Sequence, residues 1–151
     1  MIDLFIKFFL TEFPACELMS FGFQPLNLVS TFAFFVVAYH LYMRGGKLKF
    51  ISLFVALAGI GSFAHHLWPV HQTVPFDVTA AVVVAFIVFA YSYKELRRTD
   101  WLLMLGIGTV AIVAFVLDED LCLMIPSGLH FVWHVGAALV LYIAGQRIPP
   151  G

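Results

Sequence analysis

Apolar residues fall into five long runs along this chain, with short polar stretches between them. A helix that crosses a bilayer needs about 20 mostly apolar residues. The runs at 25–43, 50–68, 76–94, 101–117 and 128–146 meet or nearly meet that length. Helix punctuation lies at their edges. Pro25 suits a first helical turn. Gly45-Gly46 ends the first run, and Pro69 and Pro75 bracket the second connection. Thr99-Asp100 reads as an N-cap before Trp101, and Pro126-Ser127 plays that part for the last run. With no internal repeat or low-complexity linker, residues 1–151 read as one all-α domain, a polytopic transmembrane helix bundle of about five spans.

The first residues read differently. Residues 2–12 form a short amphipathic segment suited to the membrane interface. They make a poor signal peptide, because Met1-Ile2-Asp3 places an acid where a basic region is expected and Lys7 interrupts the run Leu4 to Phe9. Phe13-Pro14-Ala15 before Cys16 is likewise a poor lipoprotein cleavage site.

Composition turns the pattern into a solvent argument. Hydrophobic residues make up 62% of the 151 and charged residues only 11%. Mean hydropathy is +0.99. A soluble domain of this size exposes too much surface to hide so many apolar side chains, whereas a lipid-facing bundle has no such limit. A net charge of -1 gives nucleic acid nothing to bind. Two cysteines, Cys16 and Cys122, are too few for a disulfide framework.

Charge also orients the chain. Arg44, Lys47 and Lys49 follow the first run, Lys94, Arg97 and Arg98 follow the third, and Arg147 follows the fifth. The other two connections lack Lys and Arg, and one reads Asp118-Glu119-Asp120. Basic loops stay cytoplasmic, so the N-terminus is expected outside and the C-terminus inside. Trp68 and Trp101 then sit at interfaces, as aromatic belts do. A compact bundle of this kind suits a bacterial inner membrane.

Polar residues inside a bilayer are expensive, so each marks a candidate site. In this orientation Ser62, His65 and His66 lie in the outer half of the second helix, and Asp77 lies near the outer end of the third. His130 and His134 occupy the first two turns of the fifth, while Gln24, Asn27 and Ser30 begin the first, with Glu17 just before it. Residues scattered over the whole sequence thus converge at one depth, in a topology that used only Lys and Arg. His40 falls at the opposite end, and His71 falls in a loop.

His130 and His134 stand four residues apart, so their imidazoles share a helix face and can reach one ion. A third nitrogen from His66, or from adjacent His65, completes a three-histidine set; spacing alone does not choose between them. Three protein ligands with one open position is the pattern of catalytic zinc. Ser62 lies one turn deeper than His66. Gly59, Gly61 and Ala64 allow close helix approach. Read blandly, the histidines hydrogen-bond between helices, as Asn27 and Ser30 do.

The pattern Gly61-Ser62-x-x-x-His66, then Asp77, then His130-x-x-Trp133-His134 resembles the alkaline ceramidase family. That family belongs to a superfamily of membrane hydrolases that also holds the adiponectin and progestin receptors and the enzymes that remodel GPI-anchor lipids. Cys16-Glu17 and Asn27-x-x-Ser30 resemble the ceramidase N-terminal region. The resemblance implies zinc on His66, His130 and His134, with Asp77 and Ser62 as catalytic neighbours. Glu17, Asn27, Ser30, His65 and Trp133 are then the candidate second-rank or substrate contacts. It favours His66 over His65 and agrees with the charge-based orientation.

The chain departs from the family twice. The family has seven transmembrane helices and five are found here, which either opens the substrate cavity or calls for a second subunit, a homo-oligomer, to complete it. The ceramidases also carry a calcium site rich in carboxylates. Here Pro14, Met19 and Gln24 stand where acidic or amide ligands belong and only Glu17 remains, so no calcium site is expected. The expected function is a zinc-dependent hydrolase of a lipid amide, in a ceramide-like or N-acyl lipid. The alternatives are a phospholipid esterase, a lipid-sensing or structural zinc protein, and a haem protein.

Overall fold

The computed structural model describes residues 25–68, 74–121, 124–125 and 128–149. All regular structure among them is helical: α1 (Pro25–Ser30), α2 (Phe32–Arg44), α3 (Lys47–Leu67), α4 (Val74–Ser92), α5 (Arg98–Leu121) and α6 (His130–Arg147). The N-terminal segment 2–12, Glu17, His71 and both cysteines lie outside the described residues.

Among the described residues, three stretches are long and apolar enough to cross a membrane: Pro25–Arg44, which joins α1 and α2, Lys47–Leu67, and Arg98–Asp118. The exterior agrees with that solvent. Val36, Met43, Phe86 and Leu105 are each more than three-fifths exposed, an amount of outward apolar surface that water would not tolerate. Polar groups are turned inward instead: Asn27, Thr31, Ser52, Ser62, Asp77 and Asp118 are all buried.

The helices begin and end for local reasons. Thr31 stands between α1 and α2 with helical backbone, φ -61° and ψ -25°, and its hydroxyl donates back to the Leu28 carbonyl at 2.7 Å, a local bond of the kind that bends helices. Gly45 and Gly46 make the next corner with φ of 80° and 56°, backbone that side chains resist. The turn is short enough for α3 to start at Lys47, three residues before the expected start. α5 begins at Arg98, and the Asp100 carboxylate reaches back to accept the Arg97 N–H at 2.9 Å, the reciprocal half of a capping box. α5 also runs longer than expected, through Asp118-Glu119-Asp120. The acidic stretch expected in a loop is therefore helical.

α6 packs against α1, α2, α4 and α5. Close approach rests on small residues: a Cβ on Gly136 would stand 2.6 Å from Ala111 Cβ, and one on Gly145 would stand 2.5 Å from Leu41 Cδ2. The apolar core, with Leu41, Leu48, Ile51, Val88 and Leu141, occupies one half of the bundle and reaches the His134 ring through Phe34. The far end of that half is pinned by Arg44, which donates to the Gly145 and Ile148 carbonyls at 2.6 and 3.1 Å, and by Arg147 on Asp100 at 2.7 Å. His40 sits there, accepting from the Gln146 amide at 2.5 Å. The polar side chains gather at the other end.

Candidate metal centre

That polar end is where α1 and α6 begin, α3 and α5 end, and α4 begins. Each helix therefore delivers its site residue from a terminal turn or two. His66, Asp77, His130 and His134 come from α3, α4 and α6, and their ligand atoms all lie within 4.8 Å of one another. All four residues are buried; His134 is 0% exposed and Asp77 2%.

The contacts form a ring. His66 Nε2 faces His134 Nε2 at 3.1 Å. His130 Nε2 lies 3.0 Å from Asp77 Oδ2, and His134 Nε2 lies 3.5 Å from Asp77 Oδ1. Ser62 Oγ lies 3.1 Å from His134 Nε2. Two nitrogens on one tetrahedral zinc, each at about 2.0–2.1 Å, stand roughly 3.3 Å apart. The His66–His134 spacing is close to that. Three imidazoles and a carboxylate, buried together and aimed at a common point, can hold a metal ion. Burial without such an ion is otherwise a poor environment for four titratable groups.

Ser30 decides which nitrogen of His134 faces the centre. Its hydroxyl carries a single hydrogen, donated to the Asn27 carbonyl at 2.7 Å. Toward His134 Nδ1, also at 2.7 Å, Ser30 must then accept. His134 accordingly carries its proton on Nδ1 and presents a lone pair on Nε2, the tautomer a ligand needs. Ser62, on the other side, donates to that lone pair.

Asp118 supplies a contact the sequence did not predict. Its Oδ1 accepts the Leu129 N–H and, at 2.9 Å, the His130 N–H. α6 has no cap from its own N-cap residue, Leu129. A buried carboxylate on α5 therefore caps α6 and holds the backbone of His130. The available signal was an acid within a dozen residues of a helix start, which hydropathy read only as loop charge.

The other expected site residues separate cleanly. His65 is buried, its ring 5.0 Å from that of His66, but it stands outside the group of four. Asn27 and Ser30 support His134 rather than the centre itself. Trp133 packs on Phe115, which also packs on the His130 ring, each at 5.4 Å. Asp77, expected beside the metal, lies within the ring of donor atoms. Against protein-family models, curated proteins and solved structures, the chain finds no match.

Proposed function

We propose that this chain is a zinc-dependent intramembrane hydrolase that cleaves the amide bond of a ceramide-like or N-acyl lipid. In this reading it crosses a bacterial inner membrane five times, with the N-terminus and the site outside and the C-terminus inside. One observation carries the proposal: His66, Asp77, His130 and His134 converge, buried, within 4.8 Å, with Ser62 Oγ on the same point. The resemblance of these positions to the ceramidase pattern is consistent with it. So is the burial of His134 and Asp77 in an otherwise apolar bundle, since intramembrane ionisable groups mark function.

A zinc ion held by the three histidines would lower the pKa of a bound water to about 7 and polarise a carbonyl. The chain's own residues do the rest. Asp77 is placed to accept a proton at the centre and return it to the departing amine. With His134 Nε2 committed as a ligand, the Ser62 hydroxyl is free to donate to a developing oxyanion. Ser30 keeps His134 in the competent tautomer, and Asp118 keeps His130 in place.

The test is metal analysis of purified protein joined to a hydrolysis panel of ceramides, N-acyl amino lipids and phospholipids. We expect about one zinc per chain, an amide product, and loss of hydrolysis with retention of zinc in Asp77→Asn. Preferred cleavage of phospholipids would make it an esterase instead. A second reading has its own support, because Asp77 stands close enough to be a fourth ligand, and closed four-ligand sites are usually structural. Loss of zinc in Asp77→Asn, with no lipid cleaved by the parent, would establish that lipid-sensing or structural role. Absorption in the Soret region would point to haem.

A further inference from the structure

Charge is divided between the two ends of the bundle as sharply as the histidines are. The seven Lys and Arg side chains among the described residues all lie at the end opposite the metal centre. Two of them are turned inward and used, Arg44 on the α6 carbonyls and Arg147 on Asp100. The other five, Lys47, Lys49, Lys94, Arg97 and Arg98, are exposed, and none makes an ion pair among the described residues. Glu95 is the one exposed acid described at that end. Local structure does not account for the five. Lys47 and Lys49 stand in the first turn of α3, where there is no acid, and Arg98 opens α5. A cation at a helix N-terminus opposes the macrodipole.

The fold gathers them on one rim. α3 and α4 are packed neighbours running in opposite directions, so α3 starts beside the end of α4. Lys94 follows that end by two residues, and Arg97 and Arg98 come directly after. All five tyrosines of the chain lie at the same end, on α2, α4 and α6 or just beyond them: Tyr39, Tyr42, Tyr91, Tyr93 and Tyr142. Each is exposed. The Lys49 ammonium lies 5.2 Å from the Tyr42 ring centroid, and that of Lys94 lies 5.7 Å from the Tyr93 centroid. Rings with a polar tip settle at the level of lipid headgroups, and these two hold their ammonium groups there with them. Below the rim the wall is apolar, with Met43, Phe50 and Leu102 each more than half exposed.

We infer that this rim is a binding surface for anionic phospholipid, whose phosphate is held by the five exposed cations and the tyrosine hydroxyls. A soluble polyanion would match the charge but would have no use for tyrosines set on an apolar wall. Nothing in this surface draws on the metal centre, so it is independent of the hydrolase reading.

The test is the unfolding midpoint of the full chain in neutral detergent. It is titrated with phosphatidylglycerol, with phosphatidylcholine of the same acyl chains, and with soluble glycerol phosphate. A ligand that binds the folded state alone raises the midpoint. Phosphatidylglycerol should do so at low mole fraction, phosphatidylcholine much less, and glycerol phosphate not at all. A cation near an anionic membrane surface is worth roughly fivefold in affinity. Lys47→Gln with Lys49→Gln, and Lys94→Gln with Arg97→Gln, should each raise the half-saturating fraction of phosphatidylglycerol by at least about tenfold. Each pair leaves three exposed cations to orient the chain, and circular dichroism reports its folding. Salt tests the same point in the wild type, without any substitution. Raising it from about 0.1 M to about 1 M shortens the Debye length from about 10 to about 3 Å and should remove most of the preference for phosphatidylglycerol. Equal shifts with the two phospholipids, or a preference that survives salt, overturns the surface, as does one that survives both folded double variants. An equal shift from glycerol phosphate would make free phosphate the ligand and overturn the lipid. A larger shift from polyglutamate than from phosphatidylglycerol would overturn it in favour of an acidic protein.

Discussion

Asp118→Ala separates a bystander charge from a support of the metal centre. The carboxylate accepts two backbone N–H groups, from Leu129 and His130, on one oxygen. Hydrogen bonds to a charged acceptor are worth about 1.5–3 kcal/mol each, and a buried donor left without a partner costs about 1–3 kcal/mol. The two bonds share one oxygen, so they do not add in full. Losing a helix cap by itself costs about 0.5–2 kcal/mol. These bounds put Asp118→Ala at roughly 2–4 kcal/mol of stability. Asp118→Asn keeps the accepting oxygen and loses only the charge at the helix N-terminus, about 0.3–1 kcal/mol. The assay is unfolding in detergent, read beside zinc affinity by competition with a chelator. Release of the His130 backbone should weaken zinc by roughly 10–100-fold in the alanine variant, the usual cost of losing a residue that orients a ligand, and much less in the asparagine variant. Alanine that matches wild type in both measurements refutes the capping argument. Lower stability with unchanged zinc affinity would leave the cap in place and remove its role in positioning His130.

Other outcomes follow from single contacts. His130→Ala and His134→Ala should each abolish zinc by elemental analysis; full retention in both would sink the metal site. Ser30→Ala strands the His134 Nδ1 proton and should weaken zinc by roughly 10–100-fold, with partial recovery in Ser30→Thr, by the same chelator competition. Gly136→Val drives a side chain into Ala111 and should cost at least about 1–3 kcal/mol, measured as a lowered unfolding midpoint. Zinc at 100 times its dissociation constant should stabilise the folded protein by about 2.7 kcal/mol, an increment that a chelator reverses and His134→Ala lacks.

The sequence made the helices legible because lipid asks for one simple thing, a long apolar run, and turns between the runs use glycine and proline. All five expected runs are helical over most of their length. The ends were less legible. Thr31 marks a seam between α1 and α2 within one continuous span, and α5 runs on through Asp118, whose carboxylate is used by the next helix. Neither fact is visible to hydropathy, which scores Asp118 as a loop residue whatever its partner. The histidines were legible for the same reason that the helices were: a polar residue inside an apolar run stands out. Which of His65 and His66 enters the group of four depends on helix rotation, and spacing alone left that open.

The last helix shows why a good site weakens its own membrane signal. α6 is not among the stretches apolar enough to cross by composition, and its sequence holds His130, His134, Gln146 and Arg147. Each of those residues is spoken for: two histidines face Asp77, Gln146 donates to His40, and Arg147 binds Asp100. A helix packed against four other helical segments meets little lipid, so its polar groups are paid for by protein partners rather than by hydration. Low hydropathy at a central helix and a dense polar site are therefore one property seen twice. It follows that making α6 more apolar should stabilise neither end: His134→Leu would satisfy a hydropathy scale while leaving Ser30, Ser62 and Asp77 facing hydrocarbon, a loss of several hydrogen bonds at about 0.5–1.5 kcal/mol each. A His134→Leu variant that unfolds later than wild type under chelator would mean that these polar groups are not held by His134 at all.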